Sequence, residues 1–83
     1  MRLYLQHTAE PTLRPKFYQI CLDPDLFEGW LLVKEWGFQG SPGRIKKEHY
    51  SHQSDAEEAL IEARDNQLKR GYRIVFVQGA TPP

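Results

Sequence analysis

The chain has almost no cysteine. Cys21 stands alone among 83 residues, which excludes an intramolecular disulfide and withholds the closely spaced Cys and His set that a structural zinc site needs. Its thiol reads as packed rather than nucleophilic, and the compartment as cytoplasmic. Net charge is absent as well. The 11 basic and 11 acidic side chains cancel, unlike the strongly basic domains that grip nucleic acid without regard to sequence. No apolar run approaches the roughly 20 residues of a membrane-spanning helix, and the opening "MRLYLQHTAEP" holds too short an apolar segment for a signal peptide. Internal repeats and low-complexity tracts are missing too. The linker-like pieces are "TAEPTLRP" and the terminal "GATPP", both punctuated by proline, and residues 79–83 are expected to form a frayed tail.

What remains is a chain rich enough in apolar side chains to fold. At 40% hydrophobic and 12% aromatic residues it exceeds the composition of disordered chains, and its length holds one small core, so residues 1–83 are expected to form a single domain. The cancelling charges are sorted along the sequence. Lys34, Arg44, Lys46 and Lys47 outnumber Glu35 and Glu48 between positions 34 and 52, where His49 and His52 also lie. The stretch 53–66 opposes Asp55, Glu57, Glu58, Glu62 and Asp65 to Arg64 alone. A positive face can therefore exist on a neutral molecule.

Periodicity predicts the elements. "RLYLQH" (2–7) alternates as a strand. "KFYQICL" (16–22) is rich in β-branched and aromatic residues between Pro15 and the turn "DPDLFEG". "WLLVKEW" (30–36) sets Trp30, Leu32, Lys34 and Trp36 on one face against Leu31, Val33 and Glu35. "RIKKEHY" (44–50) is the most polar strand. "SDAEEALIEARDNQLKRG" reads as a helix with Ser54 as N-cap and Glu57 closing a capping box, acids in the first turns, Lys69 and Arg70 in the last, and Gly71 as the left-handed terminator. Ala56, Ala59, Leu60, Ala63 and Leu68 are expected to face the sheet. "YRIVFVQ" (72–78) is the last strand, alternating Ile74 and Phe76 against Arg73, Val75 and Val77. The order β-β-β-β-α-β predicts an α+β fold: an antiparallel sheet of about five strands with one amphipathic helix on one face, the other face partly open.

In "KEWGFQGSPGRIKKEHYS" a Trp-Gly pair precedes a Gly/Pro turn and a basic strand; the acidic-start helix and "GYRIV" follow. With these elements in this order, residues 16–77 resemble the WGR domain family, the Trp-Gly-Arg module of poly(ADP-ribose) polymerases and of bacterial proteins, some of them short. The resemblance implies a non-catalytic module that binds DNA ends or neighbouring protein. It matches Trp36 to the tryptophan that packs against the nucleic-acid end and Gly37 to the family's glycine. Phe38 stands where the family carries arginine. A phenyl ring stacks on a base or ribose but does not neutralise a phosphate.

From the residues themselves, Lys34, Trp36 and Phe38 form an aromatic-basic stripe if the strand continues to position 38, and Arg44, Lys46 and Lys47 follow the turn "GSPG". Bases stack on aromatic rings while cations track the backbone. Two plainer readings stay open: Trp36 as a core residue beneath the helix, and the lysines as defence of a sheet edge. Lys69, Arg70 and Arg73 would extend the patch or merely offset the helix C-terminus. His49 and His52 near Glu48 lack further metal ligands in sequence, and "GFQGSPGR" lacks the spacing of a phosphate-cradling loop. No catalytic constellation, cofactor, metal or small-molecule substrate is implied. The expected role is therefore nucleic-acid binding, DNA before RNA, through Lys34, Trp36, Gly37, Phe38, Arg44, Lys46 and Lys47. The alternative is docking onto a protein partner in a DNA-processing or regulatory complex.

Overall fold

The computed structural model describes residues 1–8 and 14–79. Most of "TAEPTLRP", and the expected tail beyond Gly79, lie outside them. The elements are β1 (Arg2–His7), β2 (Lys16–Pro24), β3 (Trp30–Phe38), β4 (Arg44–Tyr50), α1 (Gln53–Lys69) and β5 (Arg73–Gln78). The five strands form one sheet in the order β4-β3-β2-β1-β5, with every neighbouring pair antiparallel. The α+β fold expected from the periodicity is thus the one present. Short turns leave β2, β3 and β4 no alternative to hairpin pairing, and α1 crosses from the β4 edge to the β5 edge.

Pairing carries β2 and β3 two residues further than the periodicity predicts. The β2–β3 register runs from Pro24 opposite Trp30 to Lys16 opposite Phe38, because each added rung satisfies two more backbone groups. Phe38 is therefore in the strand and shares the face of Trp36.

Alternation decides which side chains meet the helix. Leu3, Leu5, Ile20, Leu22 and Leu32 meet Ala56, Leu60 and Ala63 in one cluster, with Leu5, Ile20, Leu32 and Leu60 the largest fully buried side chains. Burying each of these is worth about 1.5–3 kcal/mol. Small alanines at 56 and 63 let the helix lie close to the leucines beneath. Trp30 packs against this core, half-buried.

Three local expectations are corrected. The capping box does not form: His52 occupies the cap position with extended backbone and no side-chain cap bond, and Ser54 falls inside the first turn. The helix begins two residues earlier than the motif implies, and Gln53 Nε2 donates instead to Glu57 Oε1 at 3.0 Å. Secondly, Leu68 is turned to solvent and Gln67 is buried in its place. The stripe runs 56, 60, 63, 67, and residue 68 lies about 100° around the helix from it. Thirdly, Ile74 and Phe76 do not share a face. A register shift between Tyr4 and Leu5 sets Phe76 opposite Tyr4 and Ile74 opposite Leu5. A bulge adds a residue and so reverses the alternation beyond it.

The helix C-terminus behaves as its glycine predicts. Gly71 has φ +97°, and the N–H groups of Tyr72 and Gly71 donate back to the carbonyls of Gln67 and Leu68 at 3.0 and 3.1 Å, the paired bonds of a Schellman turn. This turn aims Tyr72 back beneath the helix end.

On the face away from the helix, Tyr4 stacks between Phe17 and Phe76, with centroids 6.2 and 5.2 Å away. Cys21 shares that face, half-buried, and burial pushes its thiol up.

Candidate nucleic-acid interface

Where α1 ends, the sheet continues. The helix ends over the Trp36 half of β3, where Gln67 and the following Arg70 share a cavity wall with Trp36, so Trp36 borders the helix end. It is half-buried, outside the core cluster, with its indole stacked on Tyr18 at 5.8 Å and 16° between planes. Tyr18 meets Tyr72 edge-on at 6.2 Å, and Tyr72 in turn meets His7 at 5.3 Å. One side of Trp36 is therefore held by an aromatic row.

Two cavities flank this row and share Trp36 and Tyr72 in their walls. The first, of about 370 Å³, is also lined by Lys16, Phe38, Pro42 and Arg44. The second, of about 330 Å³, adds Lys34, Lys46, Gln67 and Arg70. Together they make a continuous groove with aromatic walls and a basic rim. The buried Gln67 is explained by this placement: the helix stripe turns polar where it reaches the groove.

Among the described residues, Lys34 is the cation of the rim held by an acid. Its Nζ lies 2.5 Å from Glu48 Oε1, and Tyr50 donates its hydroxyl to Glu48 Oε2 at 2.7 Å. The Lys34 and Tyr50 hydrogen bonds hold the Glu48 carboxyl below its usual range, while the same bond pushes the Tyr50 phenol up to about 12. Lys16, Arg44, Lys46 and Arg70 form no ion pair among the described residues. Their charge is directed at solvent over the groove.

The residues expected from sequence divide accordingly. Lys34, Trp36, Phe38, Arg44 and Lys46 come together on the helix-side face. Gly37 lies in the wall of the first cavity. A Cβ there would sit 3.1 Å from the Cα of Gly43, and one on Gly43 would sit 2.8 Å from the Trp36 carbonyl, so the two glycines allow the turn to close against β3. Lys47 does not join the groove. It pairs with Val33 while Lys46 pairs with Lys34, which places Lys47 on the opposite face. Arg73 pairs with Gln6 on that same opposite face; of the three residues expected to extend the patch, Arg70 lines the groove.

Sequence reading missed Arg14, Lys16, Tyr18 and Tyr72. Phe38 is 44% exposed, and the Arg14 guanidinium and Lys16 ammonium lie over its ring at 5.3 and 5.6 Å. Arg14 is held by a 2.8 Å bond to Ser41 Oγ. The signal for Lys16 was available: counting rungs outward from the "DPDLFEG" turn brings it opposite Phe38.

His49 is occupied elsewhere. Its Nε2 lies 3.2 Å from Asp25 Oδ2 and 3.2 Å from the Glu28 carbonyl, at the β2–β3 turn.

An antiparallel sheet carrying one helix, with a Trp-Gly pair at the end of the β2–β3 hairpin, is the arrangement that the WGR resemblance implies. The family model of the WGR domain matches residues 1–76, and the chain belongs to that family. The match takes in β1 as well as the stretch from Lys16 that carries the motif. A relative from Sinorhizobium fredii (strain NBRC 101917 / NGR234), described as "Uncharacterized protein y4dW", is 28% identical over 72 residues, covering 87% of this chain and 35% of the relative. The chain thus spans about a third of the length of that protein. No solved structure matches. Among the described residues, no helix is long and apolar enough to cross a membrane.

Proposed function

We propose that this WGR domain is a non-catalytic, cytoplasmic binding module that holds single-stranded or frayed nucleic acid, DNA before RNA, in the groove around Trp36. One observation carries the reading: Trp36 is stacked on Tyr18, stands in the walls of two cavities, and is bordered by Lys16, Arg44, Lys46 and Arg70. A base inserted against the indole extends a stack already begun by Tyr18, and the cations receive the phosphates on either side. Phe38 fits this scheme despite replacing the family's arginine. Arg14, just before β2, and Lys16, its first residue, lie over the ring and supply the charge that position 38 does not carry.

The test is a titration of labelled single-stranded, nicked and blunt DNA, and of RNA, at several salt concentrations. Binding is expected to weaken as salt rises, through release of counterions, and to favour ends or single strands. Trp36→Ala is expected to remove about 1–3 kcal/mol of stacking, a loss of roughly 5- to 150-fold in affinity. Its stability should fall by no more than the Tyr18 contact, about 0.5–1.5 kcal/mol beyond area burial. Absence of binding to every form at low salt would refute the proposal. A collapse of stability in Trp36→Ala would reassign the indole to the core. Docking onto a protein is favoured by a separate feature at the far end of the β2–β3 hairpin.

A further inference from the structure

The β2–β3 turn presents the most exposed large apolar side chains among the described residues: Leu26 is 95% and Phe27 88% exposed. Folding gives neither side chain any shelter. The backbone beneath them is nevertheless fixed. Asp25 N–H donates to the Gly29 carbonyl at 2.9 Å, Phe27 N–H to Asp25 Oδ1 at 3.4 Å, and His49 spans Asp25 and the Glu28 carbonyl. Glu28 holds φ +72° and Gly29 φ +97°, and a Cβ on Gly29 would lie 2.6 Å from the Tyr50 carbonyl. The turn is a pre-shaped knob, and holding it ready lowers the entropy lost on binding. Its base is acidic: Asp23, with its carboxylate 3.7 Å from the N-terminal amine, Asp25 against His49, and the exposed Glu28.

The complementary shape and charge lie on the same chain. The first cavity has walls of Trp36, Phe38 and Pro42 and a rim of Lys16 and Arg44, and its 370 Å³ has room for an aromatic ring. Knob and cavity occupy opposite ends of the β2–β3 hairpin. Pro24 and Trp30 border the knob and Lys16 and Phe38 the cavity, a separation of roughly 26 Å along the strands. They cannot meet within one molecule.

We propose that Leu26 and Phe27 of one molecule insert into the Trp36–Phe38 cavity of a second copy, with Asp23 and Glu28 facing its Lys16 and Arg44. The contact is heterologous, so each pair keeps one unused knob on one copy and one unused cavity on the other, and assembly proceeds head to tail as concentration rises. Nucleic acid and a neighbouring knob would occupy the same cavity and exclude each other. The inference rests on the cavity's shape and charge and does not require that nucleic acid bind there.

Complementation between two variants tests it. Leu26→Ser/Phe27→Ser removes the knob, and Lys16→Glu/Arg44→Glu reverses the rim; all four side chains lie outside the core, so each variant is expected to keep the wild-type circular dichroism spectrum. In sedimentation velocity the wild type is expected to grow in mean size with concentration and to shrink with added salt. Each variant alone should remain monomeric, its association weakened on the order of tenfold or more. An equimolar mixture of the two should form a one-to-one heterodimer and nothing larger, since one intact knob and one intact cavity remain. A wild type that stays monomeric up to its solubility limit overturns the proposal and leaves the knob to a different protein. So does a wild-type dimer that either variant still forms, or a mixture that fails to pair.

Discussion

Gly71→Ala tests whether the helix end and the groove floor form one structural unit. Gly71 has φ +97° and is held there by the back-bonds of Gly71 and Tyr72 to the last turn, so it cannot relax without opening the turn. A side chain in left-handed backbone costs about 1–2 kcal/mol. The new Cβ would also lie 2.8 Å from His7 Nε2 and 3.0 Å from its Cδ2. The imidazole must therefore swing from its place beside Tyr72, 5.3 Å away, at a further cost of about 0.5–1.5 kcal/mol in aromatic contact. The sum, about 1.5–3.5 kcal/mol, corresponds to a fall in melting temperature of roughly 6–28 °C for a domain of this size. Gly40→Ala is the matched control: its φ is +79° and a Cβ there meets nothing within 4 Å, so it incurs the backbone cost alone. Thermal and urea unfolding of Gly71→Ala, Gly40→Ala, His7→Ala and the His7→Ala/Gly71→Ala pair complete the cycle. In the His7→Ala background Gly71→Ala should cost no more than Gly40→Ala does in the native chain. If Gly71→Ala is no worse than Gly40→Ala from the start, or if removing His7 leaves its penalty unchanged, the reasoning fails. Because Tyr72 walls both cavities, the same substitution should also weaken whatever the groove holds.

Other perturbations separate the core, the groove and the ion pair. Leu60→Ala, at a fully buried position, should cost about 2–5 kcal/mol, whereas Leu68→Ala, on the exposed side of the helix, should stay within about 0.5 kcal/mol; urea midpoints at constant slope report both. Lys16→Gln and Arg44→Gln should each lower the salt slope of nucleic-acid binding by about one, while Lys47→Gln, on the opposite face, should leave it unchanged. The Glu48 carboxyl is lowered in the fold by its bonds to Lys34 and Tyr50, so its stabilising contribution is present above the unfolded carboxyl range and lost as pH falls through the lowered value. Melting temperature should therefore drop in acid with a slope that Glu48→Gln reduces. Tyr50 carries the opposite sign. Its phenol is raised to about 12, so its contribution is intact below the ordinary phenol value and disappears as pH climbs through about 12, which ultraviolet titration against Tyr50→Phe would follow.

Much of the fold was legible in the sequence because it depends on local chemistry. Alternation in "RLYLQH" and "RIKKEHY" gave both strands their observed bounds, and Gly71 ended the helix where a left-handed residue was needed. The misreadings arose where two local rules competed or a distant partner intervened. Ser54 had the residue type of a cap, but the short connection after Tyr50 starts the helix at Gln53. Leu68 had the apolarity of a core residue, yet the axis set by Ala56, Leu60 and Ala63 passes through Gln67. The single face assigned to Ile74 and Phe76 failed because a bulge against β1 shifts register, and nothing within "YRIVFVQ" encodes it.

The candidate site shows the same division. Trp36, Phe38, Arg44 and Lys46 are close neighbours in sequence and strand parity was enough to group them, but Lys47 was grouped with them although the Lys46–Lys47 step puts it on the opposite face. Lys16, Tyr18, Arg70 and Tyr72 come from other elements, and they reach Trp36 only because β2 pairs beside β3 and α1 ends over that half of the sheet. By itself the sequence determined the five strands, the helix and the Trp-Gly signature, since backbone propensity and periodicity act over a few residues. The tertiary structure decided that Trp36 stands in the wall of a basic groove beside the helix end rather than in the core, because where a helix stops over a sheet depends on packing among residues far apart in the chain.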